Sequence, residues 1–293
     1  MRSFLFAPGD SDRKMVKAHS SDADAVLIDL EDAIAPEAKA QARDRTVRFL
    51  AGLGDRAGGK PVYVRINDLE TGLAEDDLAA VVPAAPDGIV LPKARSGADV
   101  RRLSDRLDAL EARAGLASGS LGILVLAAET PEAVLQMHTY QDCGPRLRGL
   151  TWGTEDLMAA LGAAANREAD GAYSAPLALA RNLCLYAAAA AGVQPIDTVY
   201  ADYKDLAGLE REARLAARDG FTGKLAIHPG QVAIINAAFT PSPAAVEEAR
   251  RIVAAFEGAP GAGAVGFEGR MLDRPHLAQA QRTLERARRA GAT

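Results

Sequence analysis

The sequence predicts a (β/α)8 TIM barrel with a C-terminal helical arm. Three observations carry this expectation. Eight short apolar runs alternate with stretches of helical periodicity. Most of the runs are apolar throughout, not at every second residue, which suits parallel strands covered on both faces. Polar residues gather just after the runs, at the strand ends where barrels of this kind build their sites. An open doubly wound sheet would share the alternation, but no GxGxxG comes after the first run.

The runs lie at 3–7, 25–30, 62–66, 88–91, 122–127, 149–152, 198–200 and 224–227. Between them, helical spacing of apolar residues covers 12–20, 36–50, 73–80, 99–114, 131–140, 176–191 and 205–219. Pro36 stands at a helix start, where its fixed φ is suited and its missing N–H has no partner to lose. Gly9 reads as a tight turn after the first strand. Past the eighth run, 229–239 and 243–256 read as helices, 258–266 as a flexible Gly/Ala/Pro link and 273–290 as a last helix. The pair Gly261 and Gly263 belongs to that link and makes no phosphate cradle. The chain thus divides into a catalytic barrel, 1–240, and a helical extension, 241–293, too short for a core of its own and suited to a lid or a subunit-packing arm.

Composition narrows the function. The chain has 293 residues, 48% of them hydrophobic, enough for one large core. Its 34 basic and 39 acidic residues leave a formal charge of −5 with no long basic block, which argues against nucleic acid. The alanine run 187–191 has polar flanks, and no uninterrupted apolar stretch is long enough for a bilayer. The N-terminus reads as a strand entering a turn, not as a signal peptide. Cys143 and Cys184 form neither a disulfide framework nor a zinc site. A cytoplasmic protein is the expectation.

The strand ends bring chemistry together. Glu129 and Asp156 come after strands five and six, neighbours roughly 4.8 Å apart. Carboxylates that close repel unless a cation or proton lies between them, and Mg²⁺ takes one or two protein carboxylates, leaving other positions to water and substrate. Spacing alone leaves a second reading equally open: each acid simply favours a helix N-terminus. Glu155 is the alternative to Asp156. Arg65 is a permanent cation able to fork onto a carboxylate or an enolate, or to pair structurally with Glu31 or Asp32. Those two acids in turn could meet a metal through water, orient Arg65, or begin a helix, with Lys39 placed to pair with either. Lys93 reads as an ion-pairing residue before a Schiff-base one, and His228, next to Pro229, as structural before a general base.

The segments Arg2–Gly9, Asp29–Ala33, Val64–Asn67, Leu91–Lys93, Glu129–Thr130, Gly153–Leu157 and Gly223–Gln231 together resemble, in order and spacing, the citrate lyase β-subunit-like family within the malyl-CoA lyase and HpcH/HpaI aldolase group. The resemblance implies a TIM barrel and Mg²⁺, or Mn²⁺, on Glu129 and Asp156. It implies that Arg65 contacts the reacting carbonyl or enolate. It implies an aspartate delivered by the C-terminal arm, often to an adjacent subunit, and the segment Met271–Pro275 makes that residue Asp273; by position alone Asp273 would only start the last helix. The reaction implied is cleavage or formation of a 3-hydroxy-3-carboxylate acyl-CoA, such as citramalyl-CoA or malyl-CoA, to a 2-oxo acid and acetyl-CoA. Arg2 and Lys14 are the candidate cations for CoA phosphates, and a homotrimer or homohexamer is the implied assembly. An aldolase of a free hydroxy-keto acid, a malate synthase-like condensation with hydrolysis, and a non-catalytic binding subunit are the alternatives.

Overall fold

The structure is a computed structural model that describes residues 1–54 and 59–292. It divides into two compact units, Met1–Ile235 and Asn236–Thr293.

In the first unit, β1 (Ser3–Pro8), β2 (Ala25–Asp29), β3 (Val62–Arg65), β4 (Gly88–Leu91), β5 (Gly122–Leu126), β6 (Leu147–Thr151), β7 (Gln194–Asp197) and β8 (Gly223–Ala226) close into a barrel in sequence order. All neighbours are parallel, and β8 pairs back onto β1 through Ser3↔Lys224 and Leu5↔Ala226. The expected (β/α)8 barrel is the one the chain forms. Phe4, Leu27, Tyr63, Val90, Leu124, Ile196 and Leu225 join one buried cluster to which every strand but β6 contributes. Gly149 explains the exception. A Cβ there would lie 3.0 Å from Ile196 Cδ1 and 3.1 Å from Leu124 Cδ2, so neighbouring side chains already fill that space. The alternate residues, among them Leu5, Val26, Ile28 and Ile123, are equally buried. Burial on both faces is why the strands are apolar throughout.

The helices α1 (Asp12–His19), α2 (Lys39–Gly52), α3 (Leu73–Val81), α4 (Gly97–Ala114), α5 (Pro131–Leu135), α6 (Thr154–Leu161), α7 (Ala175–Ala190) and α8 (Leu206–Asp219) connect the strands, and α9 (Val232–Phe239) comes after β8. Four expectations change in detail. Residues 36–50 begin with a 3₁₀ turn, Pro36–Ala38, before α2. Residues 131–140 split into α5 and a 3₁₀ stretch, Met137–Asp142. Helix α6 was not among the periodic stretches, although one reading of Asp156 put it at a helix N-terminus, and two helices separate β6 from β7. And the seventh strand is Gln194–Asp197, not 198–200.

That strand is the barrel's thinnest seam. It pairs with β6 only at Gly149↔Gln194 and Leu150↔Pro195, and with β8 only at Ile196↔Gly223 and Asp197↔Lys224. A buried ionic cluster reinforces it. The fully buried Lys224 donates to Asp197 Oδ2 at 2.9 Å and Glu212 Oε1 at 2.7 Å. Arg181 and the Trp152 indole donate to Asp197 Oδ1 at 3.3 and 2.9 Å. Burial works against the Asp197 charge, but Lys224 and Arg181 outweigh it and hold that carboxyl below the usual range.

In the second unit, α10 (Pro243–Glu257) packs on α11 (Arg274–Arg289), burying Val246, Ala249, Ala280 and Ala287. Part of the expected link, 258–266, is ordered instead: β9 (Ala264–Phe267) and β10 (Arg270–Asp273) form an antiparallel hairpin. Its two turn residues, Glu268 and Gly269, have φ of 49° and 76°, the left-handed pair of a type I′ turn. Among the described residues no helix is long and apolar enough to cross a membrane.

Candidate active site

The C-terminal ends of the strands open onto a cavity of about 510 Å³ whose lining includes Arg65, Glu129, Asp156, Asp32 and Lys14. Arg65 is the last residue of β3, and the register sets it beside Asp29, the last residue of β2. The two side chains fork together: Nε donates to Oδ1 and Nη2 to Oδ2, both at 2.7 Å. Asp29 also accepts the backbone N–H groups of Glu31 and Ala33, at 2.8 and 3.1 Å. The principal partner of Arg65 is therefore Asp29, which sequence reasoning passed over in favour of Glu31 and Asp32. The signal was available, since an acid and an arginine closing adjacent parallel strands on one face must meet. Glu31 Oε2 and Asp32 Oδ2 lie further out, 3.1 and 3.6 Å from Nη1. Burial disfavours the Arg65 charge, yet the bonds to Asp29 and the charges of Glu31 and Asp32 more than offset it and raise its pKa above the ordinary value. A guanidinium held this way is a fixed positive charge at the cavity wall.

Glu129 leaves β5 just before Thr130, whose side chain caps α5 by accepting the Ala133 N–H. It is 2% exposed, and its Oε2 accepts the Lys93 backbone N–H at 2.5 Å. Burial pushes its carboxyl up to about 8, with the charges of Asp156 and Glu31 adding to the effect. Gly153 makes room for it: a Cβ there would come within 2.9 Å of Glu129 Cγ and 3.0 Å of Oε1. Asp156 stands in the first turn of α6, more open, with its side chain 36% exposed. Glu155 also borders the cavity but is engaged by Asn166, whose Nδ2 donates to Oε1 at 3.1 Å.

Lys93 ties these groups together. Its φ of 51° is left-handed, a conformation costing a non-glycine residue about 1–2 kcal/mol. The strained backbone aims its N–H at Glu129, while its ammonium lies 2.5 Å from Glu31, 3.2 Å from Asp32 and 3.6 Å from Asp156. Burial lowers its basicity, but those carboxylates outweigh it, so Lys93 stays a cation and not a nucleophilic amine. Burial also pushes the Glu31 carboxyl up, and Arg65 and Lys93 offset this only in part. Glu31 Oε2 is buried without a hydrogen-bond partner.

The local charge is unbalanced. Four carboxylates, on Asp29, Glu31, Asp32 and Asp156, share two cationic side chains, Arg65 and Lys93, while Glu129 meets only the Lys93 backbone N–H. A buried, proton-holding Glu129 beside other acids is the environment a divalent cation relieves. Among the described residues no three His, Cys, Asp or Glu side chains converge to enclose a metal unaided. Two carboxylates facing a cavity are nonetheless the protein ligands Mg²⁺ uses when water and substrate complete its shell. The residues present fit such an ion.

Other candidates fall elsewhere. Lys39 does not pair with the Glu31 or Asp32 carboxylates. Its ammonium donates to the backbone oxygens of Leu30 and Glu31 at 2.8 and 2.6 Å and to Asn67 Oδ1 at 2.7 Å, anchoring the loop that carries both acids. Arg2 precedes β1 at the opposite end of the barrel and forks onto Asp24, at 3.0 and 2.8 Å, so it is no part of the cavity. His228 accepts the Gly230 N–H at 3.1 Å and caps the turn after β8, a structural role. Gly9 has no left-handed φ; it is small because a Cβ would come within 2.7 Å of Thr46 Oγ1 and 2.8 Å of Leu30 Cδ2. Asp273 belongs to the second unit, where it precedes α11, half exposed, with Oδ1 2.5 Å from His276 Nδ1. Trp152, which sequence reasoning did not single out, lines the cavity with its indole N–H fixed on Asp197 and its ring edge-on to Tyr173 at 4.9 Å.

The model of the HpcH/HpaI aldolase/citrate lyase family matches residues 2–229. The chain belongs to this family. It is accordingly an enzyme of the carbon–carbon lyase and aldolase class, from a group that includes lyases of CoA esters. Human mitochondrial citramalyl-CoA lyase is 33% identical over 97% of this chain and 84% of its own length. A (3S)-malyl-CoA thioesterase of Cereibacter sphaeroides is 36% identical over 98% of this chain and 94% of its own. The crystal structure of protein CitE from Mycobacterium tuberculosis, in complex with magnesium, acetoacetate and coenzyme A, is 34% identical, covers 98% of this chain and 97% of that one, and superimposes with a TM-score of 0.81.

Proposed function

We propose that this family member is a Mg²⁺-dependent lyase that cleaves, or forms, a 3-hydroxy-3-carboxylate acyl-CoA such as citramalyl-CoA or malyl-CoA, giving a 2-oxo acid and acetyl-CoA. The observation that carries this reading is the meeting of Glu129, Asp156 and the clamped Arg65 at one cavity. Magnesium named with CitE, and CoA esters named for the relatives, support it.

Glu129 and Asp156 would hold the ion, and Glu31 and Asp32 would take part through water. The bound ion would supply Lewis-acid polarisation of the substrate's hydroxyl and carboxylate oxygens. In cleavage the 3-hydroxyl gives its proton to water, its electron pair forms the keto C=O, and the C2–C3 bond breaks to leave its pair on the thioester as an enolate. Arg65 stabilises that enolate, because Asp29 fixes the guanidinium before charge develops and no reorganisation is needed. Asp273 delivers the proton that turns the enolate into the acetyl group, and removes it in the condensing direction. The chain would act as a homotrimer or homohexamer in which the arm of one subunit serves the barrel of another. Lys14, exposed and bordering the cavity, would meet a CoA phosphate.

The thioesterase relatives support a second reading, hydrolysis of the thioester. A substrate panel assayed with and without Mg²⁺ separates the two. A lyase yields equal pyruvate or glyoxylate and acetyl-CoA with no free thiol, whereas a thioesterase yields CoA thiol and no 2-oxo acid. Full turnover in EDTA would sink the metal-dependent account.

A further inference from the structure

Lys93 touches both proposed metal holders, Glu129 through its backbone N–H at 2.5 Å and Asp156 through its ammonium at 3.6 Å. The same ammonium bridges Glu31 and Asp32, at 2.5 and 3.2 Å. The backbone at this residue is left-handed, with φ of 51°, a conformation that a lysine tolerates poorly. A strained residue held at a site by several independent contacts points to a task there. Three carboxylates, Glu31, Asp32 and Asp156, surround this one ammonium and would repel one another more strongly without it.

We propose that the Lys93 ammonium is a placeholder cation, neutralising the carboxylate cluster while no metal is bound and competing with the metal once it arrives. The inference rests on the reading of Glu129 and Asp156 as metal holders. It makes Lys93 a positioning residue: it keeps the acids preformed and sets how tightly the ion is held. A lysine that served only as a structural pair would act the other way, since removing it would loosen the acids and weaken metal binding.

The test is isothermal titration of the whole protein with MgCl₂, beside thermal melts with and without the ion. In Lys93→Met the backbone strain is unchanged and the charge is gone. The expected result is a Mg²⁺ Kd tighter by about tenfold, from removal of a like charge within a few ångströms of the ion. The metal-free Tm falls by several degrees and the ion restores most of it, because the acids have lost their counter-charge. Lys93→Arg keeps the cation and stays near wild type in both measurements. Should the Met variant not fold, Lys93→Gln is measured against the same outcomes. Unchanged or weaker Mg²⁺ binding in a folded, uncharged variant would overturn the placeholder role while leaving the metal site standing. No Mg²⁺ binding by the wild type would overturn the metal site, and the role of Lys93 with it.

Discussion

At the scale of single residues, the proposed metal site would couple metal binding to proton release. Glu129 is buried and its carboxyl is pushed up to about 8, so the metal-free fold holds a proton there at neutral pH. For an acid raised in the folded state, the stabilisation from that proton is complete at pH below the ordinary carboxyl range and is lost as the pH climbs through about 8. A metal accepts only the ionised carboxylate, so binding must expel the proton. Apparent Mg²⁺ affinity should therefore rise with pH, by up to about tenfold per unit, and level off once Glu129 is ionised. Calorimetry at pH 6.5 in two buffers of different ionisation enthalpy should find close to one proton released per ion, and none at pH 9. A pH-independent Kd would show that Glu129 is already ionised and not the ligand described.

At the scale of elements, Gly153 decides where Glu129 can go. It precedes α6 with φ of −114°, open to any residue, so a substitution there tests space and not backbone strain. Gly153→Ala should leave the far-ultraviolet spectrum unchanged and weaken Mg²⁺ by about tenfold, since the new Cβ displaces the carboxylate. Unaltered binding would mean that the carboxylate can shift without loss. The seam at β7 makes a second case. Lys224→Met takes from the buried Asp197 the cation on its Oδ2, leaving only Arg181 and Trp152 on Oδ1, which should cost about 3 kcal/mol in denaturant unfolding. Amide exchange should accelerate first in β7, whose ladder is short; uniform acceleration would argue against a local seam. This strand also marks where the sequence is hard to read. Residues 198–200 have the β-branched and aromatic look of a strand, whereas Gln194–Asp197 contains a proline and an acid. The latter becomes a strand for tertiary reasons: Asp197 meets Lys224, Arg181 and Trp152 from distant parts of the chain. The other seven strands were legible because double-sided burial writes itself as a continuous apolar run. Helix α6 was not, because its eight residues before Gly162 are too few for an apolar period to stand out.

At the scale of the molecule, the proposed reaction draws on Asp273, in the second unit, as well as on the barrel of the first. If arms serve neighbouring barrels, an inactive Glu129→Ala protein and an inactive Asp273→Ala protein should rescue each other when mixed through a dissociation step. Barrels from the second would meet arms from the first, and random assembly would restore about a quarter of wild-type activity. No recovery would confine each site to one subunit or remove Asp273 from the reaction. The arm was the least legible part of the chain. Its hairpin is short and Gly-rich, and of its two strands only Leu272 is buried, so neither periodicity nor apolar pattern distinguishes it from a linker. Asp273 stood out only through resemblance. Arg65, Glu129 and Asp156, by contrast, could be found from the polar residues at and just after the strand ends, because a closed parallel barrel leaves those ends facing one another.

The indole at the cavity wall offers an optical handle. The chain has a single tryptophan, and Trp152 is wholly buried, with its N–H on Asp197 and Tyr173 packed edge-on beside it. Its emission should be blue-shifted and should respond when a 2-oxo acid or an acyl-CoA enters, with no background from other indoles. One fluorescence titration then reports occupancy without turnover, even for variants that have lost all catalysis.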